Sequence, residues 1–451
     1  MGVLEVGKPE KVDENTLFAI ASNTKAFTAT AAALLDNEKK LSLDDKIRKW
    51  LPDFRLFDTV ATEQVTIRDF LCHRAGLGEG YGGFLSSKSS FTRKQLISQL
   101  RFIKPQFNFR TKFGYCNMGY VITGEIIAQA SKESWNEYIR NKFLKPLGMD
   151  RTLSSTIELS KASNLARPHF FKNDAFSEIP LDDFDNGAPA AAIYSSARDM
   201  AQWVIMQLDT GKLNGKQVVP ANVILETWNP QMIDEDWGYD LLEPSTHLFA
   251  YGLGWGLKDY AGRRVIRHTG GVDGFFSAVT FVPEERLGIV VLTNGMNHKF
   301  HYALTHQLLD AYLNNQYKNW SQRIYQHFTE KQAKKEYEWK EKIGKATPVQ
   351  ALSFPLQEFA GSYENPLYGK IMLTIEGKDL VIHFSAHQSL LGKLSYLRPD
   401  TFLCRLSDPV LDESLVSVTW KDKQVFELTL DGNPWEDPIE YVFRKIDKTT
   451  K

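Results

Sequence analysis

The tetrad Ser22-Asn23-Thr24-Lys25 stands at the front of a stretch rich in Ala and Leu, from Ala19 to Leu35, that reads as a helix. Residues three apart share a helical face, so the Ser22 hydroxyl and the Lys25 amine come within hydrogen-bond reach. A serine hydroxyl is a poor nucleophile until a neighbouring base takes its proton. A lysine can be that base only where burial or nearby cations lower its pKa. Phe18, Ile20, Phe27 and the alanines supply apolar surroundings, in which an unpaired lysine would be costly. A position near a helix N-terminus adds free backbone N–H groups and a dipole that favours developing negative charge. The Ser-x-x-Lys spacing occurs once in the chain. Alone it is a weak signal, because a chance match is expected at this length and is most often a surface pair.

Two further clusters bear on the same chemistry. Tyr115-Cys116-Asn117 precedes an amphipathic segment. A tyrosine beside a lysine can relay protons, and an asparagine can orient an acyl amide. Taken singly, the pair also reads as a packed tyrosine and a helix cap, and Tyr-x-Asn recurs at Tyr312, Tyr317 and Tyr363. His268-Thr269-Gly270-Gly271 ends a predicted strand, Arg264 to Arg267, where glycines let backbone N–H groups approach a substrate as an oxyanion hole requires. A lone histidine at a strand end is more often a structural hydrogen-bonder. His73, in Leu71-Cys72-His73-Arg74-Ala75-Gly76-Leu77, is read as structural.

The elements that would position these residues follow from periodicity. Tyr120 to Ser131 and Ser134 to Phe143 read as helices ending at Pro146-Leu147-Gly148. Arg264 to Arg267, Ser277 to Val282 and Gly288 to Thr293 read as strands. Gly270-Gly271 and Pro283 to Arg286 between them are turn-like, so the strands are antiparallel neighbours. Asn319 to Ala346 is dense in Lys, Glu and Gln with opposite charges three and four apart, an exposed helix joining two bodies and closed by Thr347-Pro348. Beyond Pro355 the pattern turns to period two. Lys370 to Ile375 and Leu380 to Phe384 flank Glu376-Gly377-Lys378, and Val416 to Trp420 and Val425 to Leu430 repeat the arrangement. These hairpins predict an antiparallel β domain of about 100 residues.

Length and composition set the outer bounds. At 451 residues the chain exceeds what one core usually serves. Lys+Arg at 54 against Asp+Glu at 55 leaves no charge footprint for nucleic acid or an anionic membrane. Cys72, Cys116 and Cys404 are scattered and odd in number, giving neither a disulfide framework nor paired zinc spacing. No apolar run reaches the length of a membrane span, and Met1 to Lys8 carries no export signal. No cofactor, metal or nucleic-acid partner is expected, and compartment and oligomeric state stay open.

The three clusters, in this order, resemble those of the serine β-lactamase and penicillin-binding-protein superfamily. The chain is most similar to its class-C-related branch of esterases, D-aminopeptidases and D-Ala-D-Ala carboxypeptidases, whose members are often exported. Phe18 to Lys25, His73-Arg74-Ala75-Gly76-Leu77, Tyr115 through Met149, Ile193 to Met200 and Tyr251-Gly252-Leu253-Gly254-Trp255 all carry the likeness, over roughly residues 3 to 300. The trailing β domain resembles the lipocalin-like module often fused to this branch.

The resemblance implies a fold and a set of roles. The fold is mixed α/β: an antiparallel sheet flanked by helices plus a helical subdomain over residues 1–330, a charged helical linker over 331–349, and a small antiparallel β barrel over 350–451. Ser22 is then the acylated nucleophile and Lys25 its proton partner. Tyr115 is a second general base that passes the proton to the leaving group and later activates water. Asn117 holds the acyl side chain, and the backbone N–H groups of Ser22 and Gly271 form the oxyanion hole. His268 stands where many relatives have Lys, so the fixed charge that holds a substrate carboxylate is absent or pH-dependent. That turns the expected substrate from β-lactams toward small esters, amides or short peptides. The start at Val3-Leu4-Glu5-Val6 falls inside the family's first strand, so a preceding element is expected to be missing. The competing expectation is a catalytically lapsed relative that binds a ligand or partner.

Overall fold

In the computed structural model of the chain, residues 1–235, 242–243, 245–344, 355–411, 413–431 and 438–446 are described. The chain forms two compact units. One comprises Met1–Phe54, Asp58–Gly78 and Pro105–Thr329, and the other Arg55–Phe57, Glu79–Lys104 and Glu330–Lys451. No helix among the described residues is long and apolar enough to cross a membrane.

The first unit is built on a six-stranded antiparallel sheet in the order Leu287–Thr293, Phe275–Val282, Arg263–Val272, Gly256–Tyr260, Phe249–Tyr251, Met232–Ile233. Short connections force the antiparallel pairing, and the registers Ile266↔Phe281 and Ala278↔Val291 run through its centre. Both faces are covered. Ile289 and Val291 pack with Leu309 and Leu313 at the end of helix Phe300–Tyr312. Neighbouring Gly288 faces the other way, where a Cβ would stand 2.4 Å from Val204 Cγ1 of helix Ala197–Leu208. Strand Phe275–Val282 is therefore apolar and buried along nearly its whole length rather than alternating.

Two expectations shift at the nucleophile. The apolar run from Ala19 does not begin as helix: Phe18–Ala19 pairs with Tyr194–Ser195, a 3-10 turn covers Ala21–Asn23, and the α-helix runs Thr24–Asn37. Ala21 sits at φ +47°, a left-handed conformation that no Ala-rich pattern announces and that turns the chain from strand to helix. Likewise, Gly270-Gly271 do not form a turn, and the strand predicted to end near His268 continues through them. That strand is Arg263–Val272, and the chain reverses after it, ahead of Phe275.

The segment that leads to Tyr115 is braced by Asp69, whose side chain is wholly buried. Thr66 caps helix Ile67–Leu71, and Asp69 returns the bond to the Thr66 N–H at 2.9 Å. Asp69 also accepts from Arg74 Nε at 2.6 Å and Arg110 Nη2 at 2.7 Å. Burial alone would raise this carboxyl; the two guanidiniums and the capping bond hold it below the usual range.

Helix Trp320–Ile343 leads from the first unit into the second. Its first turns bury Trp320 and Ile324 beside Ala303, and its last place Trp339 and Ile343 on Leu397, Leu403 and Leu415. The closing Thr347-Pro348 and the linker's final residues, 345–349, lie outside the described residues. The second unit holds a closed eight-stranded antiparallel barrel in which each strand pairs with the next and Gly361–Asn365 pairs with Tyr441–Lys445. Alternation is clear in Gly369–Glu376, where Ile371 and Leu373 are buried and Met372 is exposed. Closure leaves no unpaired sheet edge.

Asp69 yields a stability prediction. Asp69→Ala removes the buried carboxylate from two partly exposed arginines and from the helix cap, and should cost about 1.5–3 kcal/mol by urea unfolding, the range for losing hydrogen bonds to a charged group. A loss below about 1 kcal/mol would show that the brace is not what holds the segment.

Candidate active site

The site assembles where the nucleophile turn, the Tyr115 segment, strand Arg263–Val272 and residues 188–195 converge. Ile20 N–H bonds the Ile193 carbonyl at 3.0 Å, and Thr24 Oγ1 accepts from Ile193 N–H at 3.2 Å. On the other side Ser277 Oγ donates to the Ile20 carbonyl at 2.7 Å and accepts from Asn23 Nδ2 at 2.8 Å. Gly270 fits the same seam: a Cβ there would meet the Ile20 carbonyl oxygen at 2.3 Å and Ser277 Oγ at 2.5 Å. The turn that carries Ser22 is thus clamped between two strands from far along the chain.

Lys25 is 0 % exposed, and its Nζ lies 2.9 Å from Ser22 Oγ and 3.0 Å from the Ala190 carbonyl, to which it donates. Its Nζ also stands 4.9 Å from the centre of the Tyr115 ring and 5.4 Å from that of Tyr120. Burial drives this ammonium well below its usual pKa. Its hydrogen-bond partners, the Ser22 hydroxyl and the Ala190 carbonyl, are both uncharged, and burial disfavours the ammonium form.

Tyr115 is half-buried, with His73 at 4.4 Å and His268 at 6.3 Å between ring centres. The helix cap falls on Cys116 rather than on Asn117, which is the first residue of helix Asn117–Ser131. Asn117 Oδ1 is buried with no hydrogen-bond partner among the described residues. His73, at φ +60° and buried, accepts the Cys116 N–H on Nδ1 at 3.0 Å, which leaves its proton on Nε2. It fixes the backbone on which Tyr115 and Asn117 ride.

His268 is nearly buried, and both ring nitrogens are committed. Nδ1 lies 2.6 Å from the Thr269 carbonyl, an acceptor only, so Nδ1 carries the proton. Nε2 then accepts the Tyr251 hydroxyl at 2.8 Å. Burial first, and the nearby Lys25 second, push the imidazole down to about 3. His268 is therefore neutral, and the third cluster presents no cation. Gly271 lies exposed one residue beyond the contact of Gly270 with the nucleophile turn, opposite Phe276. Among the described residues no group of three or more His, Cys, Asp or Glu is placed to hold a metal ion.

The structure brings Ser22, Lys25, Tyr115 and His268 together, with Asn117 two residues beyond Tyr115 and Gly271 further along the strand that carries His268. Tyr251 and Ser277 were not read from the sequence as site residues. Tyr251 had a signal, the Tyr-Gly-Leu-Gly-Trp string, whereas Ser277 is one hydroxyl in an apolar strand and could be found only in space.

The beta-lactamase family model matches residues 1–313, and a domain of unknown function, DUF3471, matches residues 345–443. The chain belongs to the beta-lactamase family. It is 29 % identical over 299 residues to Protein flp of Staphylococcus aureus (strain COL), covering 65 % of this chain and 56 % of that protein. It is 25 % identical over 421 residues to the unguisins hydrolase ungD of Aspergillus violaceofuscus, covering 86 % and 73 %. The chain thus spans little more than half the length of the staphylococcal relative. Its fold is that of the octameric penicillin-binding protein homologue from Pyrococcus abyssi, with a TM-score of 0.58 at 20 % identity over 98 % of this chain and 92 % of that one.

The lowered imidazoles link stability to pH. Below about 6.5 an unfolded chain protonates His73 and His268, while the folded chain keeps both neutral, so acidification favours unfolding. Each such histidine adds a fall of about 1.4 kcal/mol per pH unit. Urea unfolding between pH 6.5 and 4.5 should show this loss, and His268→Gln should flatten it by one proton's worth. An unchanged slope would mean that His268 takes up a proton in the folded state.

Proposed function

We propose that the chain is a serine hydrolase that cleaves an ester, amide or short peptide bond through an acyl-Ser22 intermediate. The observation that carries this reading is the fully buried Lys25 amine 2.9 Å from Ser22 Oγ. A neutral amine with one N–H spent on the Ala190 carbonyl keeps its lone pair for the Ser22 hydroxyl proton. As that proton moves to Lys25 Nζ, Oγ attacks the acyl carbon and the carbonyl oxygen becomes an oxyanion. The backbone N–H groups of Ser22 and Gly271 receive it. Tyr115 passes a proton to the departing alcohol or amine, the C–O or C–N bond breaks, and the acyl group stays on Oγ. In the second half Tyr115 takes a proton from water, the hydroxide attacks the acyl carbon, and Ser22 recovers its proton as the acid leaves. Asn117 Oδ1, buried without a partner among the described residues, accepts from an N–H of the acyl side chain.

The substrate class follows from His268. A ring held neutral, with both nitrogens engaged, offers nothing to a substrate carboxylate. Acyl donors without an obligatory carboxylate fit, as an ester, an amide or the backbone of a neutral peptide does. A β-lactam loses the ionic contact that would seat it. That one relative is named a hydrolase of unguisins supports hydrolysis as the reaction.

A fluorophosphonate probe or a p-nitrophenyl ester followed by intact mass tests the reading. Wild type should gain one adduct on Ser22 and Ser22→Ala none. Lys25→Arg, whose guanidinium cannot give up its proton, should slow labelling by about 10²–10⁴-fold, the span for losing a general base. The wild-type labelling rate should fall on acidification as Lys25 takes up a proton. An adduct that persists in Ser22→Ala, or no reaction across short and medium acyl chains, overturns the assignment in favour of a binding protein. Rapid nitrocefin turnover at neutral pH overturns the substrate argument alone.

A further inference from the structure

The second unit includes a segment that does not belong to its own stretch of sequence. The chain leaves the hydrolase unit after Gly78, contributes residues 79–104 to the barrel unit, and returns at Pro105. The Phe84 ring stacks on His387 at 4.5 Å and on Tyr368 at 5.5 Å, with Tyr441 and Phe384 edge-on at 5.8 and 6.0 Å. Buried His387 accepts the Tyr368 hydroxyl on Nδ1 at 2.6 Å, so its proton lies on Nε2. That N–H is shared between the Phe84 carbonyl at 2.8 Å and the Ser87 carbonyl at 3.0 Å. Ser90 N–H bonds the Ala386 carbonyl at 2.7 Å, and Lys88 Nζ meets Asp408 at 2.7 Å.

An aromatic anchor in a cage, main-chain carbonyls read by a fixed donor, a backbone bond and one ion pair are the parts of a peptide-binding site. A ring that merely filled a core would need only the first of them. The Nε2–H of His387 is directed at two carbonyls of the segment, so the barrel reads the segment's main-chain geometry as well as its aromatic side chain.

We propose that the barrel is a peptide-holding module whose occupant is the 79–104 segment of the same chain, anchored by Phe84, and that through this hold it helps to set which substrates the hydrolase accepts. The route is covalent. The stem of the segment is pinned beside the Tyr115 cluster: the Gly76 carbonyl accepts from Gln106 N–H at 2.9 Å and from Phe107 N–H at 3.1 Å. The Leu77 carbonyl oxygen lies 2.1 Å from where a Cβ on Gly114 would stand, and Gly114 precedes Tyr115. The hold stands on contacts within the barrel unit. Its consequence for catalysis rests on the proposed hydrolase reading, and the test reads the two apart.

The full chain is compared with Phe84→Ala, Lys88→Glu, Asp408→Lys and the double reversal by limited trypsin digestion. Cleavage at Arg93 and Lys94 is located by mass, and thermal unfolding confirms a folded barrel. Phe84→Ala should speed that cleavage tenfold or more. Each single reversal should speed it severalfold, and the double reversal should bring the rate back toward wild type. In the same variants the ratio of kcat/KM for a bulky acyl ester to that for p-nitrophenyl acetate should change at least threefold, while Ser22 labelling by a small fluorophosphonate stays within twofold. Cleavage rates equal to wild type in a folded Phe84→Ala chain overturn the hold. Faster cleavage with an unchanged ratio overturns its effect on substrate choice. A wild-type chain that takes no probe at Ser22 refutes the hydrolase reading and leaves the digestion to decide the hold.

Discussion

An amine can serve as a base at neutral pH only while it is kept from water and from acids, and the arrangement around Ser22 depends on that constraint at Lys25. The Lys25 side chain is fully buried, lies 2.9 Å from the serine oxygen and has the Ala190 carbonyl as its other close partner. A carboxylate in the place of that carbonyl would stabilise the ammonium and bar Lys25 from the role of base proposed above. The aromatic rings of Tyr115 and Tyr120 complete the enclosure without adding a competing charge. The cost of burying the group falls on the rest of the domain, which is why the nucleophile turn is held from both sides by bonds of long sequence separation.

The same desolvation acts on the histidines. Burial acts first on His73 and His268, and any positive charge on nearby Lys25 would act in the same direction, so each imidazole is pushed down, with the tautomer its partners define. Their ring nitrogens then act as positioning devices: His73 Nδ1 accepts the Cys116 N–H, and His268 closes a chain from the Tyr251 hydroxyl to the Thr269 carbonyl. A lysine at position 268 would place an ammonium near Lys25 and lower its pKa further. The neutral ring adds no such charge, and it leaves no cation at this position for a substrate carboxylate.

The barrel obeys a different constraint, closure. Eight antiparallel strands satisfy every neighbour and leave side-chain alternation to define inside and outside. Its burial is mostly aliphatic and aromatic; of its buried polar groups, Asn365 and Ser414 bond to the barrel's own backbone, whereas the His387–Tyr368 pair is directed at the backbone of a segment from elsewhere in the chain. Buried polar groups that bond outside their own domain's sequence are more informative than apolar ones, because they specify a partner's geometry as well as its hydrophobicity.

The sequence by itself determined the elements with strong periodicity and the residue types of the site. Apolar runs at 277–282 and 288–293 marked strands of the sheet, alternation after residue 370 marked the barrel's hairpins, and Ser22, Lys25, Tyr115 and His268 could be picked out as candidates by residue type and spacing. Only the tertiary structure decided what those groups are in practice. The strand-to-helix turn at Ala21 comes from contacts with Ile193 and Ser277, more than a hundred residues away, and local propensity pointed instead to an unbroken helix. The protonation of Lys25 and His268 depends on burial, which no spacing encodes, and the roles of Tyr251 and Ser277 on a register between strands. The place of residues 79–104 in the barrel unit rests on an aromatic cage formed by side chains some three hundred positions later. Local pattern fixes what a segment can form; desolvation and long-range pairing fix what its functional groups can do.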